Sequence, residues 1–99
     1  MTNILIVCAN QPIAQTIARL IEKIDNWKAA IALSLLEAQQ QCESEVFDIA
    51  LIGAGITDDE EQELRLSLTK QKAKTKVVKH YGGGSGLLYA EIYQALAKK

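Results

Sequence analysis

Residues 3–24, NILIVCANQPIAQTIARLIEKI, change within four positions from one periodicity to another. Ile4, Leu5, Ile6 and Val7 form an unbroken, largely branched apolar run, the pattern of a strand buried on both faces as in a parallel sheet. Pro12 suits the first position of a helix, because its ring fixes φ near the helical value and its missing N–H would have had no partner there. Asn10 or Gln11 is placed to cap that helix. Ile13, Ile17, Leu20, Ile21 and Ile24 then recur along one helical stripe. Cys8 and Ala9 stand at the seam between strand and helix, the rim where parallel sheets carry their chemistry.

The same alternation continues to the end of the chain. KAAIAL, residues 28–33, reads as a second strand, less apolar and so expected at an edge. Ser34 with Glu37 forms a capping box before a second helix whose buried side is Leu35, Ala38 and Cys42. Cys42 reads as a small core filler. FDIALI, residues 47–52, is a third buried strand, followed by a turn at Gly53, Ala54 and Gly55. Thr57 and Glu60 make another capping box, opening a helix that carries Leu64 and Leu68. Asp58, Asp59, Glu60, Glu61 and Glu63 crowd its start and Lys70, Lys72 and Lys74 follow its end, which complements the helix dipole. KVVKHY, residues 76–81, is a fourth strand, and a last helix is expected over 86–97. The order β-α-β-α-β-α-β-α implies one domain, residues 1–99, with a parallel sheet and helices on both faces.

Composition narrows the function. With 11 basic against 12 acidic residues the net charge is -1, which gives no general attraction to nucleic acid or to an anionic membrane. The longest apolar runs are about six residues, far short of the roughly 20 that span a bilayer. The N-terminus lacks the layout of a secretory signal, so a cytoplasmic location is expected. Two cysteines and a single His80 form no metal spacing, so no metal or other cofactor is expected, and the thiols are expected to be free.

Once these elements are placed, VCANQPIAQTIARLIEK, LLEAQQQ and EVFDIALIGAGI resemble a response-regulator receiver domain of the CheY-like kind, over about residues 3–70. The resemblance implies a flavodoxin-like three-layer sandwich with strand order 2-1-3-4. In that family an acidic pair after the first strand binds magnesium, and a carboxylate ending the third strand accepts a phosphoryl group. The matching positions here are Cys8, Ala9 and Gly53. Magnesium prefers hard oxygen ligands, which neither a thiol nor alanine supplies, and glycine has no side chain to phosphorylate. Asp48 stands at the wrong end of its strand. KVVKHYGGGSGLLYAEIYQALAKK runs from the fourth strand straight into the last helix, so the lysine-bearing fifth strand of receivers has no counterpart. What the resemblance implies is therefore a non-phosphorylatable receiver-like module of a two-component type system.

The chain is also similar to the IIB components of lactose- and cellobiose-type sugar phosphotransferase systems, which carry a phosphoryl group on a cysteine at the position of Cys8. A helix N-terminus lowers a thiol pKa, which would favour such a nucleophile. Residues 9–14 contain no glycine, however, and Pro12 removes an N–H from the cradle a phosphate would need.

Two further features remain. GGGSG, residues 82–86, is either a tight reversal or a small-anion site in which Gly82, Gly83, Gly84, Ser85 and Asn10 are the candidate contacts. In the last helix Glu91, Gln94 and Lys98 form one polar stripe, and the apolar remainder is about twice what packing on a single sheet requires. Leu88, Tyr89, Ile92, Tyr93 and Leu96 are therefore the candidate interface, together with the bare edge of the fourth strand. The expected partner is a second copy, as a homodimer, or another signalling protein.

Overall fold

The run at residues 4–7 becomes the middle of the sheet. The computed structural model describes residues 1–80 and 85–97. Its elements are β1 (Thr2–Val7), α1 (Gln11–Glu22), β2 (Trp27–Ala32), α2 (Leu35–Ser44), β3 (Ile49–Ile52), α3 (Asp58–Lys70), β4 (Lys76–Lys79) and α4 (Ser85–Ala97). The strands pair in the order β2-β1-β3-β4, all parallel, with Ile4 level with Ala29 and Ile49, and Ile49 level with Lys76. This is the flavodoxin-like four-stranded sandwich expected from the sequence.

Alternation along β1 divides the core in two. Ile4, Ile6 and Cys8 face α1 and α4, packing with Ile17, Ile21, Leu88 and Ile92. Leu5 and Val7 face α2 and α3, packing with Ala38, Phe47, Leu64 and Leu68. All four β1 residues from Ile4 to Val7 are fully buried, each contributing roughly 1.5–3 kcal/mol of apolar burial. Right-handed crossovers explain the layers. The chain moves one way from β1 to β2 and the other way from β2 through β3 to β4, so α1 covers one face while α2 and α3 cover the other.

Local chemistry sets the helix ends. The Asn10 side chain accepts the Ile13 N–H at 3.0 Å, and Pro12 takes the second helical position. At α3 the box is complete, with Thr57 Oγ1 accepting the Glu60 N–H and Glu60 accepting the Thr57 N–H. At α2 it is not. Ser34 Oγ accepts the Glu37 N–H, but Glu37 reaches past the cap to the Leu33 N–H at 3.2 Å. α3 ends with the Lys72 N–H on Thr69 O and the Ala73 N–H on Leu68 O, and this reversal holds Lys72 at φ 56.

Element boundaries differ from the sequence expectation at β2, β3 and β4, the last ending at Lys79 short of the expected 81, and one stripe residue of α1 is exposed. β3 begins at Ile49, because Phe47 leaves the ladder to fill the α2–α3 core while Asp48 Oδ2 takes the Asn3 N–H at 2.7 Å. β2 starts one residue early, at Trp27. Ile13, placed on the buried stripe of α1, is 43% exposed, and Ala14 takes the core position beside it. Among the described residues no helix is long and apolar enough to cross a membrane.

Candidate functional site

The carboxyl ends of β1 and β3 bring together the positions of interest. Gly53 N–H donates to Val7 O at 2.8 Å, and Ala9 N–H donates to Ala54 O at 2.9 Å, so the two loops are knitted to each other. A Cβ on Gly53 would stand 3.1 Å from Cys8 Cβ and 3.2 Å from Cys8 Sγ. Gly55, at φ +83, passes so close that a Cβ there would lie 2.6 Å from the Ala9 side chain. The Cys8 sulfur thus occupies the volume into which a side chain at 53 would project. The thiol is buried and lies 3.4 Å from Asn10 O, to which it donates. Cys42 is half-buried against the α2–α3 core, and that burial pushes its thiol pKa up.

The loop after β1 has few donors to offer an anion. The Ala9, Ile13 and Ala14 N–H groups already serve Ala54 O, Asn10 Oδ1 and Asn10 O, and Pro12 has none. Among the described residues no three His, Cys, Asp or Glu side chains converge as a metal site. Gly82, Gly83 and Gly84 lie outside the described residues, as does the side chain of Ser85, with which α4 begins. An apolar cleft of about 780 Å³ opens beside this rim, between Ile13 and Ile17 of α1 and Ile52, Ile56 and Leu88.

Two charged clusters flank the end of β4. The imidazole of His80, which also lines the cleft, pairs through Nδ1 with Glu91 of α4 at 2.5 Å. On the other face, Lys79 Nζ meets Asp58 at 2.7 Å and Glu61 at 3.5 Å, while Arg65 binds Glu61 at 2.9 Å. The Asp58–Lys79 hydrogen bond and the charge attraction behind it lower the Asp58 pKa and raise that of Lys79.

The candidate interface on α4 is largely used within the chain. Leu88 and Ile92 are 1% and 0% exposed in the core between α4 and the sheet, so they are not available to a partner and the expectation for these two is corrected. Tyr89 hydroxyl donates to Leu20 O at 2.7 Å. Trp27 lies with its ring centroid 6.4 Å from Tyr89 and 5.0 Å from Tyr93. The second apolar surface of the helix therefore meets α1 and Trp27. Tyr93 at 53% exposure and Leu96 at 37% remain accessible, and Leu87 joins them. Trp27 was not singled out from the sequence, where a lone aromatic at a strand start carries no periodic signal.

The polar stripe has a use as well. Glu91 and Gln94 wall a groove of about 760 Å³ that runs along the outer edge of β4, with Arg65, Leu68 and Thr69 of α3 opposite. Lys76 Nζ donates to Ala95 O at 2.6 Å, tying the start of the strand to the end of α4.

No protein-family model matches the chain, and no curated protein does. Solved structures do. A fusion chain carrying the yeast Spc42 trimeric coiled coil has 22% identity over 96% of this chain and 78% of its own, with a TM-score of 0.77. A putative pilus assembly protein, CpaE, from Burkholderia thailandensis has 14% identity over 99% of this chain and all of its own, at 0.64. The receiver domain of Francisella response regulator 1452 has 12% identity with full coverage of both chains, at 0.61. At these identities the likeness establishes the fold: a flavodoxin-like sandwich similar to that of a receiver domain.

Proposed function

We propose that this chain is a receiver-like signalling module that acts by protein contact and accepts no phosphoryl group. The observation that carries this reading is the packing at the strand ends. A buried thiol fills the space beside Gly53, and neither position offers a side-chain oxygen to a cation or a phosphoryl donor. The likeness in fold to a receiver domain supports a signalling role, and the accessible Leu87, Tyr93 and Leu96 together with the β4 edge are the surfaces a partner would use. That partner is a second copy or another signalling protein.

Incubation with acetyl phosphate and magnesium, followed by intact mass, tests the reading. The expected result is an unchanged mass. A phosphoryl adduct on any carboxylate would overturn it, and an adduct on Cys8 would establish a phosphocysteine carrier instead.

A further inference from the structure

β2 is one border of the sheet, paired on a single side to β1. Thr2 N–H donates to Asn26 O and Cys8 N–H to Ala32 O, so the even-numbered residues of this strand turn their backbone groups inward. Direction alternates along a strand, and those of Trp27, Ala29, Ile31 and Leu33 therefore face out. Such a row is a template for one more strand. Here it is occupied from within. Glu22 Oε2, at the end of α1, accepts the Ala29 N–H at 3.3 Å. Gln41 Nε2 of α2 donates to Ile31 O at 2.8 Å, and Glu37 Oε1, from the first turn of the same helix, accepts the Leu33 N–H at 3.2 Å. Trp27 N–H turns back to Ile24 O at 3.2 Å. The latches come from helices on both faces of the sheet and meet on one short strand.

Without them little in β2 would refuse a neighbour. Its sequence, WKAAIA, carries one charge, on Lys28, and three alanines. An antiparallel twin set with Ala29 opposite Ile31 would place Lys28 across from Ala32, so no two lysines would meet on the seam. In that register the Ala29 N–H of each copy would donate to Ile31 O of the other, about a twofold axis. These are the two groups that Glu22 and Gln41 hold.

We propose that the β2 border is a self-association surface for a second copy of this chain, held shut by Glu22, Glu37 and Gln41. Each latch must break before a twin strand can pair, and replacing the side chains removes that competition. The twofold pairing is closed, so the species released is a dimer with one continuous sheet.

Glu22→Ala combined with Gln41→Ala removes the two latches that oppose this register, and alanine suits both helices, so the fold should hold. Sedimentation velocity and hydrogen exchange of the Ile31 amide, both read at rising protein concentration, are the assay. Self-association should strengthen at least about tenfold over the unaltered chain, the equivalent of one net hydrogen bond, and Ile31 should exchange more slowly as the dimer forms. Glu22→Gln, with Gln41 intact, keeps an oxygen for the Ala29 N–H and should behave as the unaltered chain does. Should the double variant not fold by circular dichroism, Gln41→Ala alone should show the same concentration-dependent slowing. A folded variant whose Ile31 exchange ignores concentration, association that leaves Ile31 unprotected, Glu22→Gln associating as the double variant does, or an unaltered chain that already protects Ile31 on association would each overturn the proposal. Closure of this border is independent of the contact reading above, and the acetyl phosphate experiment leaves it untouched whichever mass is found.

Discussion

Replacing Gly53 with alanine adds one carbon where the Cys8 side chain already lies, at 3.1 Å from its Cβ and 3.2 Å from its sulfur. Carbon contacts are optimal at about 3.5–4.0 Å, so one of the two strands has to yield. Cys8 has nowhere to go, being fully buried in the core with Ala14 and Ile17. Overpacking of this kind costs about 1–3 kcal/mol. Gly53 does not have a positive φ, so alanine also recovers about 0.4–1 kcal/mol through the unfolded chain. The net expected loss is roughly 1–2 kcal/mol, a fall in Tm of about 4–8 °C for each kcal/mol in a domain of this size. Cys8→Ala alone removes one buried heavy atom and costs roughly 1 kcal/mol. Combined, the two changes should cost at least about 0.5 kcal/mol less than their sum, since the sulfur, one of the two obstructing atoms, is gone and the residue-8 Cβ at 3.1 Å can then shift into the space it leaves. Urea unfolding followed by Trp27 fluorescence gives all four corners of the cycle. Additive costs, or a neutral Gly53→Ala, would refute the claim that Cys8 fills the site at 53.

Four other outcomes follow from local structure. Thr57→Ala removes the hydroxyl arm of the α3 capping box while the backbone N–H at 57 can still donate to Glu60, and it should cost about 1 kcal/mol by chemical denaturation, whereas Lys72→Gly, which relieves a left-handed residue at the far end of the same helix, should gain roughly 0.5–1 kcal/mol. Tyr89→Phe forfeits the bond to Leu20 O and should lower stability by about 0.5–1.5 kcal/mol with little change in the Trp27 emission maximum. The raised Cys42 pKa means that the folded state holds the thiol proton more tightly than the unfolded state. Its contribution is complete below the ordinary value of 9.0 and is lost as pH rises through the higher folded value, so Cys42→Ser should flatten the alkaline decline in stability.

Much of the architecture could be read from the chain because the signals were periodic and mutually consistent. The run Ile4–Val7 fixed a central strand, and the alternation of elements left few topologies open. Thr57 with Glu60 located the start of α3 to the residue. The candidate site was legible as an absence of acids at positions 8, 9 and 53, but not as a packing relation. That Cys8 and Gly53 complement each other in volume depends on the register between β1 and β3, which no local pattern records. α4 was misread for a different reason. A helix apolar nearly all round does not say which face meets the sheet, and here Leu88 and Ile92 turned inward while Trp27, distant in sequence, covered the flank that looked free. Which backbone groups of β4 turn inward to β3 depends on strand register, which side chains leave unwritten.

The tie between Lys76 and Ala95, with the His80–Glu91 pair at the other end of the strand, fastens β4 to α4 at two places. A pulling force applied near residue 97 therefore meets the Lys76 ammonium and the buried Ala95 in the last turn of the helix, so that strand and helix share the load. Helix and strand should yield in one event.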